Sequence, residues 1–191
     1  MRTTRLLPLA FLLASLAAPP LTAQTERAPR LSFSARAGAA FPFGDFADVA
    51  ATGHTLSLDA GYAILPPLSV TAGYRYTQYP LAGPTLEEIT LQGPALGVEL
   101  YGPKPIPWLT AGIHAGVYLL DVSVEGASGA GDFDDPEVGY FGGVELGSRL
   151  GGGLTGSIFA DIDICPPNWP RGPFPPRPKG FELGFELSLG V

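Results

Sequence analysis

The sequence has few charged residues, a single cysteine and two histidines. Charged side chains make up 15% of its 191 residues, whereas soluble domains average about a quarter. One cysteine excludes an intramolecular disulfide and a cysteine-based zinc site, and we expect no metal or other cofactor. Eleven Lys and Arg residues, scattered in a chain of net charge -7, form no basic patch. We therefore expect no nucleic-acid partner.

Apolar residues and turn formers are abundant instead. Hydrophobic residues account for 46% of the chain, the mean hydropathy is +0.22, and there are 26 glycines and 21 prolines. Disordered chains combine low hydrophobicity with high charge density, which is the reverse of this composition. The sequence therefore predicts one folded domain that is rich in turns.

The N-terminus has the features of a secretory signal. Arg2 and Arg5 precede an apolar run over residues 6–18, and small residues follow it. An N-terminal membrane anchor is the alternative, but about a dozen apolar residues is short of the ~20 that a spanning helix needs. We therefore expect a signal peptide over residues 1–23, removed on export, and one domain over residues 24–191.

Apolar residues alternate with polar or small residues through most of the remaining chain. The clearest segment is the last, which sets Phe181, Leu183, Phe185, Leu187, Leu189 and Val191 against Glu182, Gly184, Glu186, Ser188 and Gly190. A period of two indicates β-strands, because successive side chains point to opposite faces. About eight such segments occur, each of roughly nine to eleven residues, which is the length of a tilted strand that crosses a bilayer.

The connections between these segments alternate in length. Long connections are expected over residues 40–53, 80–90, 123–136 and 166–180, and short ones over residues 65–67, 102–107 and 150–153. Barrels of the bacterial outer membrane have long loops outside and short turns on the periplasmic side. The sequence therefore predicts an all-β fold, an eight-stranded antiparallel up-and-down transmembrane β-barrel. Tyr74, Tyr76, Tyr140, Phe181 and Tyr62 suit its interfacial aromatic girdles.

The polar face of the predicted strands carries charges of both signs among many glycines. Its charged residues are Arg36, Arg75, Arg149, Asp59, Glu99, Glu145, Asp161, Asp163, Glu182 and Glu186. In a membrane barrel this face lines the lumen, where buried charges must pair. We therefore expect a structural charge network inside the barrel, formed by Arg36, Arg75, Arg149, Asp59, Glu99, Glu145 and Asp161. In a soluble barrel the same residues would form a solvated exterior.

Two segments resemble a known family. The final residues, Phe181-Glu-Leu-Gly-Phe-Glu-Leu-Ser-Leu-Gly-Val191, resemble the C-terminal strand by which bacterial outer-membrane proteins are recognised for assembly. The segment Phe41–Gly53, followed by an alternating strand, resembles the first hairpin of the small outer-membrane barrels of the OmpA/OmpX-like family. The resemblance covers nearly all of residues 24–191 and implies an integral barrel of the bacterial outer membrane. It implies outer-membrane lipid, lipopolysaccharide and the assembly machinery as partners.

The expected function is a structural or surface-interaction role of a monomeric barrel. The interior of eight strands is just wide enough for side chains to fill it, which favours a plug over a channel. Two alternatives stay open. One is a narrow, weakly cation-preferring pore, because the acids outnumber the arginines on the polar face. The other is an exported soluble barrel that binds a small apolar ligand, as lipocalins do.

No catalytic constellation is visible in the sequence, and we expect no enzymatic activity. His114 lies on the polar face of a predicted strand, where its neighbours in phase are Thr110, Gly112 and Gly116. None of these neighbours can act as an acid–base partner. His114 is therefore expected to point inward without a catalytic role.

The fourth long connection is the most distinctive of the outer loops. It is rich in proline and carries Trp169, Arg171, Phe174 and Arg177. A stiff loop with aromatic and basic side chains is suited to contact a partner or anionic lipopolysaccharide. A loop that merely resists proteolysis is the equally weighted alternative.

Overall fold

The fold is that of a β-barrel built almost entirely from strands. The computed structural model describes residues 31–82, 87–102, 108–125, 131–132, 137–165 and 176–191, so the expected signal peptide over residues 1–23 lies outside the described residues. The strands are β1 (Leu31–Pro42), β2 (Gly53–Leu65), β3 (Leu68–Pro80), β4 (Glu88–Tyr101), β5 (Leu109–Glu125), β6 (Gly131–Asp132), β7 (Glu137–Gly151), β8 (Leu154–Ile164) and β9 (Lys179–Gly190).

Eight of these strands close into the barrel. All pairings are antiparallel, β4 bonds to β5, and β1 bonds to β9, so the sheet returns to its own first strand. The two-residue strand β6 adds to β5 beyond the ladder between β5 and β7. The predicted all-β, up-and-down antiparallel barrel of eight strands is confirmed.

The strands are staggered around the barrel. From Phe33 the register passes through Ala60, Ala72, Leu96, Val117, Tyr140, Ile164 and Lys179. The N–H of Phe43 then donates to the carbonyl of Lys179. One circuit thus climbs from residue 33 to residue 43 on β1, which is the stagger that strand tilt imposes on a closed barrel. Residues far apart in sequence consequently reach the same depth in the interior.

The two ends of the barrel differ. The connections over residues 66–67, 102–108 and 152–153 lie at one end, here called the turn end, together with Leu31 and Val191. The strand ends that flank the connections over residues 43–52, 81–87, 126–136 and 165–178 lie at the other end, the loop end. The turn after β7 uses Gly151, Gly152 and Gly153, all at positive φ, where other residues would be strained.

Two sequence expectations about length were wrong. The connections over residues 81–87 and 102–108 are equally long, so the alternation of long and short has an exception. The strands are also longer than expected: β5 has 17 residues and β7 has 15. Both errors have one cause, which is that strands keep pairing toward the loop end. β4, for example, continues past Pro94 to Glu88, and Pro94 lies exposed on its outer face.

A short 3₁₀ helix (Gly44–Asp48) follows β1 at the loop end. Its Phe46 is buried and meets the ring of Tyr79 edge to face, with 5.1 Å between ring centroids. The helix therefore packs Phe46 onto the inward ring of Tyr79 at the loop-end mouth of the barrel. Among the described residues, no helix is long and apolar enough to cross a membrane.

Candidate functional site: the interior of the barrel

Over most of the barrel, polar side chains point inward and apolar side chains point outward. Arg36 and Arg75 are 6% and 5% exposed, whereas the neighbouring positions Leu58 and Phe185 are 67% and 73% exposed. Thirty large apolar residues of the described chain are exposed in total. Soluble monomers rarely expose a contiguous apolar patch of more than a few hundred Å². The arrangement is the reverse of that in a soluble barrel with an apolar ligand cavity, and it contradicts the lipocalin-like alternative.

Arg36 is the centre of the first group of buried charges. Its Nε donates to Glu186 Oε2, and its Nη2 lies 3.4 Å from Glu99 Oε1 and 3.5 Å from Glu145 Oε2. Its Nη1 lies 3.8 Å from Asp161 Oδ2. Four strands other than β1 contribute these carboxylates. The group therefore ties the wall of the barrel together across the lumen.

Arg75 is the centre of the second group, which lies nearer to the loop end. Its Nη2 donates to Glu182 Oε2 at 2.9 Å and lies 3.3 Å from both Asp161 Oδ2 and Asp163 Oδ2. Thr77 Oγ1 donates to the other oxygen of Glu182 at 3.0 Å. One guanidinium thus serves three carboxylates, each of which is at most 8% exposed in its side chain.

His114 and Asp161 link the two groups. His114 Nε2 lies 2.7 Å from Asp161 Oδ1 and 3.2 Å from Arg36 Nη1, while the second oxygen of Asp161 faces both arginines. We call this set the charged cluster: Arg36, Arg75, His114, Glu99, Glu145, Asp161, Asp163, Glu182 and Glu186. Buried charges of this kind rigidify an interior where their partners are complete. Within the described residues, His114 Nδ1, Glu145 Oε2 and Asp163 Oδ1 are buried without a hydrogen-bond partner.

Aromatic rings and glycines complete the packing around the charged cluster. The guanidinium of Arg75 lies over the ring of Phe141, 4.2 Å from its centroid, and that of Arg36 lies 5.5 Å from the centroid of Phe159. A Cβ atom at Gly116 would overlap the Phe141 ring, and one at Gly143 would overlap the Asp161 carboxylate. The inward glycines therefore make room for the long residues opposite them.

The structure brings together five of the seven residues expected in the charge network. Arg36, Arg75, Glu99, Glu145 and Asp161 meet in the charged cluster.

The other two network residues lie elsewhere. Asp59 is half-buried and accepts a hydrogen bond from Ser57 Oγ at 3.0 Å. Arg149 was expected inside the barrel, but it is exposed near the end of β7, beside the turn over residues 152–153. An Arg at the turn end can reach water, so its position on the polar face does not commit it to the cluster.

Sequence reasoning missed the role of His114 and of the two aromatic rings. His114 was judged only by its neighbours on its own strand, whereas its partners come from β1 and β8. Phe141 and Phe159 occupy inward positions on strands whose other inward residues are polar or glycine. That placement was the available signal, because an aromatic residue on a polar face suits a cation.

The interior near the loop end is apolar, which the sequence did not predict. The residues of this apolar layer are Phe46, Tyr79, Ile89, Leu91, Tyr118, Leu120, Val122, Val124 and Cys165, each at most 4% exposed. It lies between the charged cluster and the loop-end mouth, where Phe46 covers it. Burial raises the pKa of the Cys165 thiol, which follows the last residue of β8, so the thiol stays protonated.

The loop residues proposed for interactions are only partly described. Trp169, Arg171 and Phe174 lie outside the described residues. Arg177 is half-buried, and its Nε donates to the carbonyl of Cys165. Among the described residues, no group of three or more His, Cys, Asp or Glu side chains is arranged to hold a metal ion.

Known structures of small barrels share this architecture. Neisserial surface protein A superimposes with a TM-score of 0.63 and 14% sequence identity, covering 87% of this chain and 100% of that chain. The N-terminal β-barrel domain of Pseudomonas aeruginosa OprF gives a TM-score of 0.55 at 10% identity, covering 85% of this chain and 100% of that chain. Ail, the attachment invasion locus protein of Yersinia pestis, gives 0.51 at 9% identity, covering 85% and 99%.

These similarities extend over nearly the whole barrel but are structural. No protein-family model and no curated protein matches the sequence. At identities of 9 to 14%, the similarity establishes the fold. The chain has the closed eight-stranded antiparallel fold of the small outer-membrane β-barrels, the OmpA/OmpX-like barrels that its sequence resembles.

Proposed function

We propose that the protein is an integral barrel of the bacterial outer membrane with a closed interior, and that it serves a structural or surface-interaction role without catalysis. One observation carries the proposal, which is a reversal of polarity along β5. Its outward residues Ile113, Val117 and Leu119 are apolar and exposed, and Asp121 and Glu125 follow them on the same face.

The inward face of β5 changes in the opposite sense. It carries Gly112 and His114 at the depth of the apolar exterior, and Leu120, Val122 and Val124 beyond it. The barrel is therefore polar inside where its exterior is apolar, and apolar inside where its exterior is polar. Lipid around the first part and water around the second account for both halves.

Aromatic side chains support the same placement. Tyr76, Tyr140, Phe41 and Phe181 are outward residues near the loop end of the apolar exterior, and Tyr62 lies near the turn end. These are positions where membrane barrels carry their interfacial girdles.

Cell fractionation tests the location. We expect the protein in the outer-membrane fraction, resistant to extraction by urea or alkaline carbonate and released by detergent. Recovery in the soluble periplasm without detergent would contradict the proposal. Mass determination of the purified protein would show whether a peptide ending near Ala23 has been removed.

A closed interior argues against the alternative of a cation-preferring pore. The charged cluster fills the lumen at mid-depth, and the apolar layer with Phe46 lies between it and the loop-end mouth. Planar bilayers with refolded protein test this directly. We expect no steady single-channel steps, whereas cation-selective steps that vanish on bulky substitution of Gly112 would establish the pore.

The surface role is assigned to the connections at the loop end. The strands that flank all four of them end at one mouth of the barrel, and the sequence of the fourth contains Trp169, Arg171, Phe174 and Arg177. Replacing residues 167–175 by a short Gly-Ser linker leaves β8 and β9 intact. We expect this variant to fold like the wild type but to lose binding to immobilised lipopolysaccharide. Equal binding by the two proteins would remove this loop from the proposed interaction.

A further inference from the structure

The exterior of the barrel is uneven, and one of its concavities lies over β1. The outward residues Ala35 and Ala37 form its floor, because β1 carries small side chains between Phe33 and Phe41. The walls are Phe185 and Leu187 of β9 on one side and Leu56 and Leu58 of β2 on the other. The volume of this groove, here called the β1 groove, is about 420 Å³.

A cation lies along the line of the β1 groove, at the border of the apolar exterior. Lys179 occupies the same outward face of β9 as Phe185, Leu183 and Phe181, and the N–H of Phe43 donates to its carbonyl. The rings of Phe41 and Phe181, 6.4 Å apart between centroids, lie between the groove and Lys179. None of the ion pairs seen among the described residues uses Lys179.

The spacing between groove and cation matches one leaflet of a bilayer. Phe185 and Lys179 are six positions apart on β9, which is about 20 Å along the strand. At a strand tilt of about 45° this corresponds to about 14 Å of depth, close to half of a ~30 Å hydrocarbon core. The groove thus lies near the bilayer centre, and Lys179 lies where phosphate headgroups are.

The charges at this border differ around the barrel, and on the side of Lys179 the 3₁₀ helix after Phe43 adds the exposed Asp45 and Asp48. On the far side of the barrel the outward residues that follow the apolar exterior are Gln92 on β4 and Asp121 on β5, with Glu88 directly opposite Glu125 beyond them. A phosphate would be repelled on the far side, where the described outward charges are acidic, whereas Lys179 offers it a cation.

We propose that the β1 groove and Lys179 form a binding site for one phosphate-bearing lipid of the loop-end leaflet. An acyl chain lies over Ala35 and Ala37 between the walls of β9 and β2, and the phosphate group pairs with Lys179. The site rests on the proposed membrane location and names a lipid partner for it.

Native mass spectrometry after reconstitution tests the site. The probe is phosphatidic acid at about 10 mol% in phosphatidylcholine vesicles, from which the protein is transferred into a mild detergent. We expect the wild type to retain one phosphatidic acid per chain. Lys179→Gln is expected to reduce retention about fivefold, because one cation near the surface contributes about 1 kcal/mol. Lys179→Arg, which keeps the charge, is expected to restore it.

A substitution that fills the groove distinguishes lipid binding at a specific site from non-specific contact with lipid. Ala37→Phe is expected to abolish retention above the phosphatidylcholine background, whereas Ala115→Phe, on an exposed outward position of β5, is expected to leave it unchanged. Equal retention by Ala37→Phe and the wild type would overturn the proposal. So would a dimer in the wild type that Ala37→Phe dissociates, because a second copy would then occupy the groove. Failure of the protein to enter vesicles would instead overturn the membrane location.

Discussion

Two regions of the barrel interior are filled by side chains of opposite character, one by charged residues and the other by apolar residues. The charged cluster fills the interior at mid-depth and is surrounded by exposed apolar residues, whereas the half toward the loop end is filled by the apolar layer and surrounded by polar residues. Inward positions follow one rule of alternation throughout. The comparison teaches that, at each depth, an apolar face on one side of the wall goes with a polar face on the other.

The difference also has an energetic side. A buried carboxylate that loses its counter-charge keeps its full desolvation penalty, whereas a buried leucine that is truncated leaves only a cavity. The charged half is therefore expected to be the more sensitive of the two to a single substitution. The following predictions test this, from the largest expected effect to the smallest.

Arg75→Leu is expected to destabilise the protein most, by about 3–5 kcal/mol, because it leaves Asp161, Asp163 and Glu182 without their shared cation. Urea-induced unfolding in lipid vesicles measures the change. Arg75→Lys keeps the charge but not the planar fork, and an intermediate loss is expected. A loss no larger for Arg75→Leu than for Arg75→Lys would show that the charge of the cluster is not what stabilises the fold.

Leu120→Ala tests the apolar half and is expected to cost about 3 kcal/mol, since Leu120 is 1% exposed in the apolar layer. Leu119→Ala is the matched control, because the adjacent residue points outward and is 51% exposed. Its loss is expected to be under half as large. Equal losses in the same urea titration would mean that the two faces of β5 at this depth see similar surroundings.

Val70→Arg places a charge on the outer face of β3, toward the turn end. We expect a loss of about 2 kcal/mol in vesicles, because lipid-facing arginine costs about 2–4 kcal/mol at mid-depth and less toward the interface. Val70→Leu is expected to change stability by less than about 0.5 kcal/mol. Indifference to Val70→Arg in vesicles would place this face in water.

The rate at which a maleimide labels Cys165 reports whether water reaches the apolar layer. The thiol is 1% exposed and burial raises its pKa, so little thiolate forms and the folded protein is expected to react slowly with a maleimide. Phe46→Ala opens the cover of the layer and is expected to speed the reaction several-fold at neutral pH. Rapid labelling of the wild type would show that the loop end is open to water.

Sequence reasoning identified the inward face of the barrel where the exterior is apolar, and much of what lies on it. Period-two alternation assigns Arg36, Arg75, Glu145 and Asp161 to one face, because a strand turns its side chains alternately to either side. It was wrong about Arg149, since alternation gives the face of a residue but not its depth.

Period-two alternation did not predict the apolar layer, and the reason is physical. In the run Leu119-Leu120-Asp121-Val122-Ser123-Val124 the alternation continues, but the polar residues have moved to the outer face. If the inward residues are expected to be polar, the strand would end at this point, and the sequence predicts a loop. The change of phase marks the depth at which the outward residues change from apolar to polar.

The sequence by itself determined the strands, their antiparallel order and which face of each strand is apolar over most of the barrel, because these depend on neighbours one or two positions apart. Only the tertiary structure decided which carboxylates meet which arginine, since the circuit from residue 33 to residue 43 brings β1, β4, β7, β8 and β9 to one depth. It also decided that Phe46 covers the loop-end mouth. Contacts between distant strands depend on the stagger and tilt of the closed barrel, which no local pattern encodes.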